Sequence, residues 1–313
     1  MTNPDGDKEN PAADPKFQPS TRLYVILARK APMGVVFRRG PSKHVLLINW
    51  NTEMHEFRMG QWLNGRIYER RCDLSPSGEK LLYFAANQRA PLFSWTAVSR
   101  PPFLTALAMW PNGSTWGGGG LFKNERTVSL NHGPAGIAVA DGFRLPKNIQ
   151  VQALAAHAGR GEDDPIFSLR LLRDGWTLKQ PAEGWKEKSK SRIYWEPDQR
   201  ETWIKPRDRW MLEMSLVGVN EKNGPWYVIE HQVLDSEGRS VASLGRSDWP
   251  DWSQTGELLF SRDGCLGRLP RKDGEFQQPE ELVDLRQLRF QQRSTPPEAK
   301  VWSGTSPRGL LIK

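Results

Sequence analysis

The chain has 313 residues, a net charge of +8, 14 Trp, 28 Gly, 24 Pro and two cysteines. Many turn formers and indoles without a long apolar run exclude a helix-rich or helix-spanning membrane protein, and two thiols make no disulfide framework. Residues 1–19 hold four acids and two lysines, so the rest of the chain carries +10, a field that attracts polyanions or an acidic partner alike.

In chain order, residues 1–19 have too few large apolar groups to repay the entropy of ordering and are expected to form a disordered leader. They lack the basic and apolar regions of a secretory signal, which predicts a cytoplasmic protein. One folded unit is expected over residues 20–303, with a flexible tail at 304–313. Compact apolar runs at 23–28 and 45–50 read as strands, as do 80–85 and 92–98. After Pro101 and Pro102 comes another apolar run, 104–109. Residues 165–172, 192–195, 201–204, 210–217 and 226–233 read as further strands, and 229–234 with 240–244 as a hairpin across Ser236-Glu237-Gly238. Asp263-Gly264 marks a second hairpin turn. Residues 151–159 alone read as a short helix, and 282–290 as part of the last sheet.

One unit is written twice. Asp73-Leu-Ser75-Pro-Ser77-Gly78-Glu79-Lys-Leu-Leu82-Tyr83 returns as Asp251-Trp-Ser253-Gln-Thr255-Gly256-Glu257-Leu-Leu259-Phe260, and Trp110-Pro-Asn112-Gly113 through Phe122 echoes it. Each copy places a glycine fit for positive φ ahead of an apolar strand ending in an aromatic residue. Such repetition predicts an all-β, propeller-like ring of short antiparallel sheets. The copies start 178 residues apart. At ~44 residues per blade this predicts about six blades, with five or seven in range. Ring closure is expected from pairing of the strand near Leu23 with a late strand.

These units resemble the repeats of TolB-like and WD40-like propellers, in which a Ser-Pro-Asp-Gly turn precedes the second strand of a blade. Ser77 and Thr255 depart from that pattern at the Asp position. The resemblance implies a blade turn and says nothing of function.

The chemistry-bearing residues form no catalytic or metal-ligating motif. Gly117 to Gly120 invite a phosphate-loop reading, yet Leu121-Phe122 follow where Lys-Ser or Lys-Thr would be needed, so a wide turn or close backbone approach is expected. His44, His55, His132, His157 and His231 show no metal-ligand spacing, and neither catalytic residues nor a cofactor are expected. The first expectation is therefore a non-catalytic scaffold that meets a protein partner through loops bearing Arg100, Trp110, Trp116 and Lys123. The second is nucleic-acid or other polyanion binding through the basic, Trp-interleaved stretch 185–210, using Lys186, Lys188, Lys190, Arg192, Lys205, Arg207 and Arg209. The third is a hydrolase with its site in the central channel of the ring. Cys72 and Cys265, and the pair Trp249 and Trp252, read as packing residues.

Overall fold

The computed structural model describes residues 21–40 and 43–302, so the expected leader at 1–19 and tail at 304–313 lie outside the described residues. The first sheet is an antiparallel meander of β1 (Arg22–Leu27), β2 (Met33–Arg39), β3 (His44–Asn51) and β4 (Glu56–Asn64). Its side chains alternate between two cores. Leu23, Val25, Val36, Leu46, Ile48 and Trp50 enter one, and Ile26, Val35, Phe37, Val45 and Leu47 the other. A strand buried on both faces has no polar alternation, which is why 23–28 and 45–50 are continuous apolar runs.

The second sheet holds β5 (Arg66–Ile67), β6 (Asp73–Leu74), β7 (Leu81–Ala86), β8 (Ser94–Ser99) and β9 (Ala108–Pro111). The third holds β10 (Gly120–Phe122), β11 (Thr127–Leu130) and β12 (Gln150–Ala153), the last parallel to β11. Helix α1 (Ile166–Arg173) follows. A curled fourth sheet takes β13 (Thr177–Gln180), β14 (Glu183–Glu187), β15 (Ile193–Gln199), β16 (Thr202–Arg207), β17 (Trp210–Glu221), β18 (Tyr227–Leu234) and β19 (Ser240–Arg246). The fifth combines β20 (Trp249–Trp252), β21 (Leu258–Arg262) and β22 (Cys265–Leu269) with β25 (Glu280–Asp284); the hairpin β23 (Arg271–Lys272) and β24 (Glu275–Phe276) is inserted before its last strand.

A separate hydrophobic core lies between four of the five pairs of neighbouring sheets, and a helix bridges the fifth, which makes the arrangement a propeller-like ring. Sheets one and two enclose the core around Phe37 and Tyr83, and sheets two and three that around Trp110 and Phe122. Sheets four and five share the core of Trp203, Leu212, Trp252 and Phe260, while sheets five and one share Trp249, Leu259 and Trp50. Between sheets three and four, α1 fills the gap and touches β10 and β13. Five sheets thus close the ring, within the expected range and one below its centre. The interval between the repeat units contains a seven-stranded sheet and a helix where further four-stranded blades were expected.

Closure does not use the expected strand pairing. β1 pairs with β2 alone, and the junction is made by packing and by two polar contacts: the Leu23 N–H donates to Asp248 (3.0 Å), and the Ser261 hydroxyl donates to the Leu23 carbonyl (2.9 Å).

The two repeat units form equivalent turns. In each, the first serine's N–H bonds across the turn, from Ser75 to the Lys80 carbonyl and from Ser253 to the Glu257 carbonyl. The glycine N–H returns to that serine, and the serine Oγ accepts the N–H of Lys80 or Glu257. Gly78 and Gly256 have φ of 81° and 84°. A Cβ at Gly78 would also lie 2.9 Å from that of Met33. Gly78→Val is expected to lower stability by roughly 1 kcal/mol or more. An unchanged urea midpoint would show that the turn relaxes freely.

Two sequence expectations are corrected. Residues 165–172, read as a strand, form α1, which buries Ile166, Phe167, Arg170 and Leu171 at helical spacing. The helix stops in a Schellman motif: the Trp176 N–H returns to the Leu171 carbonyl and the Gly175 N–H to that of Leu172, with Gly175 at φ 90°. Residues 151–159, read as a helix, are the end of β12 and a turn.

Candidate functional site: a basic central cavity

The aspartate that opens each repeat unit carries a cation from the α1 and fourth-sheet region. Asp73, on β6, is fully buried and accepts Arg173 Nη1 and Nη2 at 2.6 and 2.9 Å as well as the Phe122 N–H at 2.7 Å. Asp251, on β20, accepts Lys205 Nζ at 2.6 Å. Arg173 sits in the last turn of α1 and Lys205 on β16, so each aspartate ties a repeat-bearing sheet to the region between them. The second copy of the motif thus predicts the second ion pair by position.

Around these clamps lies a cavity of about 610 Å³, walled by β1 from Tyr24 onward, by α1, and by parts of β16, β18 and β20. Its lining includes Arg29, Arg70, Arg170, Arg173, Lys205 and Arg207 against Asp174, Asp248 and Asp251. Arg173 is consumed by Asp73 and Asp174, and Lys205 by Asp251. The other four guanidiniums have no carboxylate at ion-pair distance among the described residues. Arg29 donates to the Phe122 carbonyl at 2.9 Å and Arg207 to that of Gln254 at 3.3 Å. Arg170 donates to the Glu69 and Cys72 carbonyls and to the Tyr24 hydroxyl. Arg70 lies over the rings of Tyr227 and Phe167 at 3.6 and 4.1 Å. Nε of Arg29 is buried with no acceptor among the described residues. Burial and the neighbouring Arg173 lower the Arg29 pKa, against the opposing pull of Asp73, Asp174 and Glu125.

A second cavity of about 240 Å³ opens beside the first and shares Tyr24, Arg70, Ile229 and Asp248 with it. These four residues line both cavities. Burial pushes the Asp248 carboxyl up to about 6, against the opposing Leu23 N–H and the Arg22 charge. Burial, with Arg70 second, pushes His231 down to about 3, and burial lowers His132 to about 4. His231 Nδ1 meets the Ser247 hydroxyl at 2.7 Å, and His132 Nε2 meets the Thr96 hydroxyl at 2.7 Å.

These shifts act on stability in opposite directions. As pH falls below ~6.5, the unfolded chain protonates its histidines while the folded chain does not, so stability is lost down to about pH 4 for His132 and about pH 3 for His231. Asp248 takes up its proton first in the folded state and returns stability between about pH 6 and ~4. The histidine losses continue below that window. The urea midpoint should therefore fall between pH 6.5 and 3, and His231→Asn should flatten the fall. Equal slopes in the two proteins would exclude a buried neutral imidazole at His231.

The residues expected to bind a polyanion separate in space. Lys186, Lys188, Lys190 and Arg192 lie on or near the β14–β15 hairpin, which meets the C-terminal end of β17, whereas Lys205 and Arg207 lie on β16 against its N-terminal end, with Arg209 in the turn between. That is ~35 Å along the strand. The hairpin is also neutral, since Glu183, Glu187, Glu196 and Asp198 offset its four cations. Lys186 pairs with Asp198, Arg192 with Glu221 and Lys205 with Asp251, while Arg209 donates to the Gly274 carbonyl. Lys188 and Lys190 are exposed at the tip. No continuous basic face joins the two groups; Lys205 and Arg207 belong to the cavity instead.

The expected partner surface is corrected at Trp110. That indole is 0% exposed between sheets two and three and donates Nε1–H to the Ile137 carbonyl, so it cannot anchor a partner. Trp116 is 64% exposed, Lys123 is exposed beyond the other end of β10, and Arg100 holds the Glu298 carbonyl. The glycine run forms no anion nest. Gly117 donates to the Gly161 carbonyl, Gly118 to that of Asn131 and Gly119 to the Thr96 hydroxyl. A Cβ at Gly118 would lie 2.2 Å from the Phe84 ring, the close approach read from the sequence.

No cluster of His, Cys, Asp and Glu able to hold a metal ion lies among the described residues, and no helix among them is long and apolar enough to cross a membrane. No family model and no curated protein matches the chain. Among solved structures, a candidate 6-phosphogluconolactonase from Bacteroides fragilis is similar at 11% identity, covering 87% of this chain and 98% of that one with a TM-score of 0.30. A superposition that shallow assigns no site. Fold and site together define a propeller-like protein with a basic central cavity.

Proposed function

We propose that this is a binding protein that takes a small anionic molecule into the centre of its ring. The observation that carries the reading is that four arginines, Arg29, Arg70, Arg170 and Arg207, line one cavity with no carboxylate at ion-pair distance among the described residues. Like charges gathered in a partly dehydrated space repel one another, and the planar fork of arginine suits phosphoryl and carboxyl oxygens. The cavity volume is that of a metabolite-sized ligand. A loop surface for a protein partner retains Trp116 but loses its Trp110 anchor, and the polyanion stretch loses its continuity. The central cavity is thus better supported than either surface, and the function proposed for it is binding, where the sequence reading had set a hydrolase site in the channel.

Calorimetry and thermal melts with inorganic phosphate, pyrophosphate and small carboxylates test this. A ligand at about 100 times its Kd should stabilise the protein by about 2.7 kcal/mol. Arg207→Ala should weaken binding about tenfold, the loss of a charge-assisted hydrogen bond. If no anion binds, or if binding ignores Arg207, the reading fails.

A further inference from the structure

Arg70 and Arg71 are neighbours on one 3₁₀ turn and are used in opposite ways. Arg71 is buried and spends its guanidinium on the fold, donating to Asp163 at 3.0 Å and to the Thr115 and Gly117 carbonyls at 2.6 and 2.9 Å. The Arg70 side chain makes neither a hydrogen bond nor an ion pair among the described residues. Its nitrogens are not sealed either, in contrast to Arg29 Nε, and the open space around them is that of the cavities Arg70 lines. Arg29, Arg170 and Arg207 each give at least one N–H to the protein, so Arg70 alone of the four keeps all its donors unspent.

Two rings fix how Arg70 can be met. Its guanidinium carbon lies 3.6 Å from the centre of the Tyr227 ring and 4.1 Å from that of Phe167. At such distances a guanidinium lies flat against a ring, because an N–H aimed at the ring would hold the carbon farther away. One face of so small a group has no room for two rings, so Tyr227, from β18, and Phe167, from α1, cover the two faces. Only the edge remains, with its N–H groups in one plane.

From this geometry we infer that the anionic group of the ligand is a carboxylate rather than a phosphate, and that Arg70 is the residue that selects it. The inference rests on the anion-binding reading and goes further by naming the end group. A carboxylate is planar, so its two oxygens meet the guanidinium edge in a two-point contact without leaving the plane between the rings. A phosphoryl group can also offer two oxygens to that edge, but its remaining oxygens project out of the plane toward Tyr227 and Phe167. There they lose water and gain no donor. Phe167, Leu171, Trp176, Met214 and Trp252 belong to one hydrophobic core and line the same cavity, which suits a carboxylate with an apolar body.

The test is calorimetry on the full chain with matched probes: benzoate against phenyl phosphate, hexanoate against hexyl phosphate, and inorganic phosphate. In each pair the carboxylate should bind roughly tenfold tighter despite its lower charge. Arg70→Lys keeps the charge but loses the planar fork, and should bring each carboxylate down to the level of its phosphate partner. A preference that survives in folded Arg70→Lys would overturn the inference. Phosphates that bind the unaltered protein as tightly as their carboxylate partners would overturn it too, and leave the anion-binding reading standing. Failure of every probe to bind would remove both. The seat can also be read without a variant, by mass spectrometry after phenylglyoxal treatment of the unaltered chain. Arg70 should be modified, Arg71 should not, and benzoate should protect Arg70. A carboxylate preference without that protection would place the seat elsewhere and overturn the assignment to Arg70.

Discussion

Arg173→Ala is expected to lower the unfolding free energy by about 3–5 kcal/mol, the cost of leaving a buried carboxylate without its cation. Asp73 is wholly buried, and once Arg173 is gone its only remaining donor among the described residues is the Phe122 N–H. The ion pair also joins β6 to α1, and α1 spans the gap between the third and fourth sheets, so the loss falls where the ring is held by a helix. Lys205→Ala, at the equivalent aspartate, should cost less. The side chains of Lys205 and Asp251 are each 15% exposed, and water can take over part of the solvation there. Adding Asp73→Asn to Arg173→Ala should recover part of the loss, since it removes the stranded charge. Urea unfolding of the three variants checks the order. A loss in Arg173→Ala no greater than in Lys205→Ala would mean that the repeat aspartate is indifferent to its partner.

The elements legible in the sequence are those fixed by short-range geometry. Gly78 and Gly256 have the positive φ their turns required, and Asp263 and Gly264, at φ 50° and 78°, form the two-residue hairpin turn between β21 and β22. The hairpin of β18 and β19 was legible for the same reason. α1 was missed because Ile166-Phe-Ser-Leu-Arg-Leu-Leu172 satisfies both periodicities over so short a run. The deciding signals lay at its ends, where Asp164 accepts the Ser168 N–H and Gly175 occupies the left-handed stop. The parallel pairing of β12 with β11 has no local signature, and residues 151–159 were misread accordingly.

The site was less legible than the fold. Arg29 comes from the turn after β1, Arg70 from the short 3₁₀ turn at Glu69–Arg71, Arg170 from a helix and Arg207 from a strand. No spacing along the chain relates them; only closure of the ring does. Arg207 alone was singled out beforehand, as part of a basic stretch that the long β17 divides. Charge counted along a sequence measures density in one dimension. It does not register that Glu183, Glu187, Glu196 and Asp198 share a hairpin with the lysines. In contrast, the repeated aspartates were visible, and their roles in binding Arg173 and Lys205 follow from being inner-strand residues of equivalent turns.

Trp110→Ala is expected to cost about 3–5 kcal/mol, as the loss of a large aromatic from a close-packed core does. The indole packs with Leu82, Val98, Phe122, Val128 and Leu130, and truncation would open a void between the second and third sheets while leaving the Ile137 carbonyl without its donor. Trp116, six residues on and 64% exposed, should lose no more than about 0.5 kcal/mol on the same change. The contrast separates two uses of tryptophan that look alike in the sequence, because both indoles flank the same Asn112-Gly113 turn. What distinguishes them is the arrival of β10 and β11 over Trp110, and that depends on the third sheet docking against the second. Neither indole lines the basic cavity, so folded protein of either variant should bind the anionic probes as the parent does. Urea unfolding and calorimetry of the two variants provide the check. Equal stability losses would place Trp110 at the surface, and a change in anion affinity without a change in stability would place it in the site.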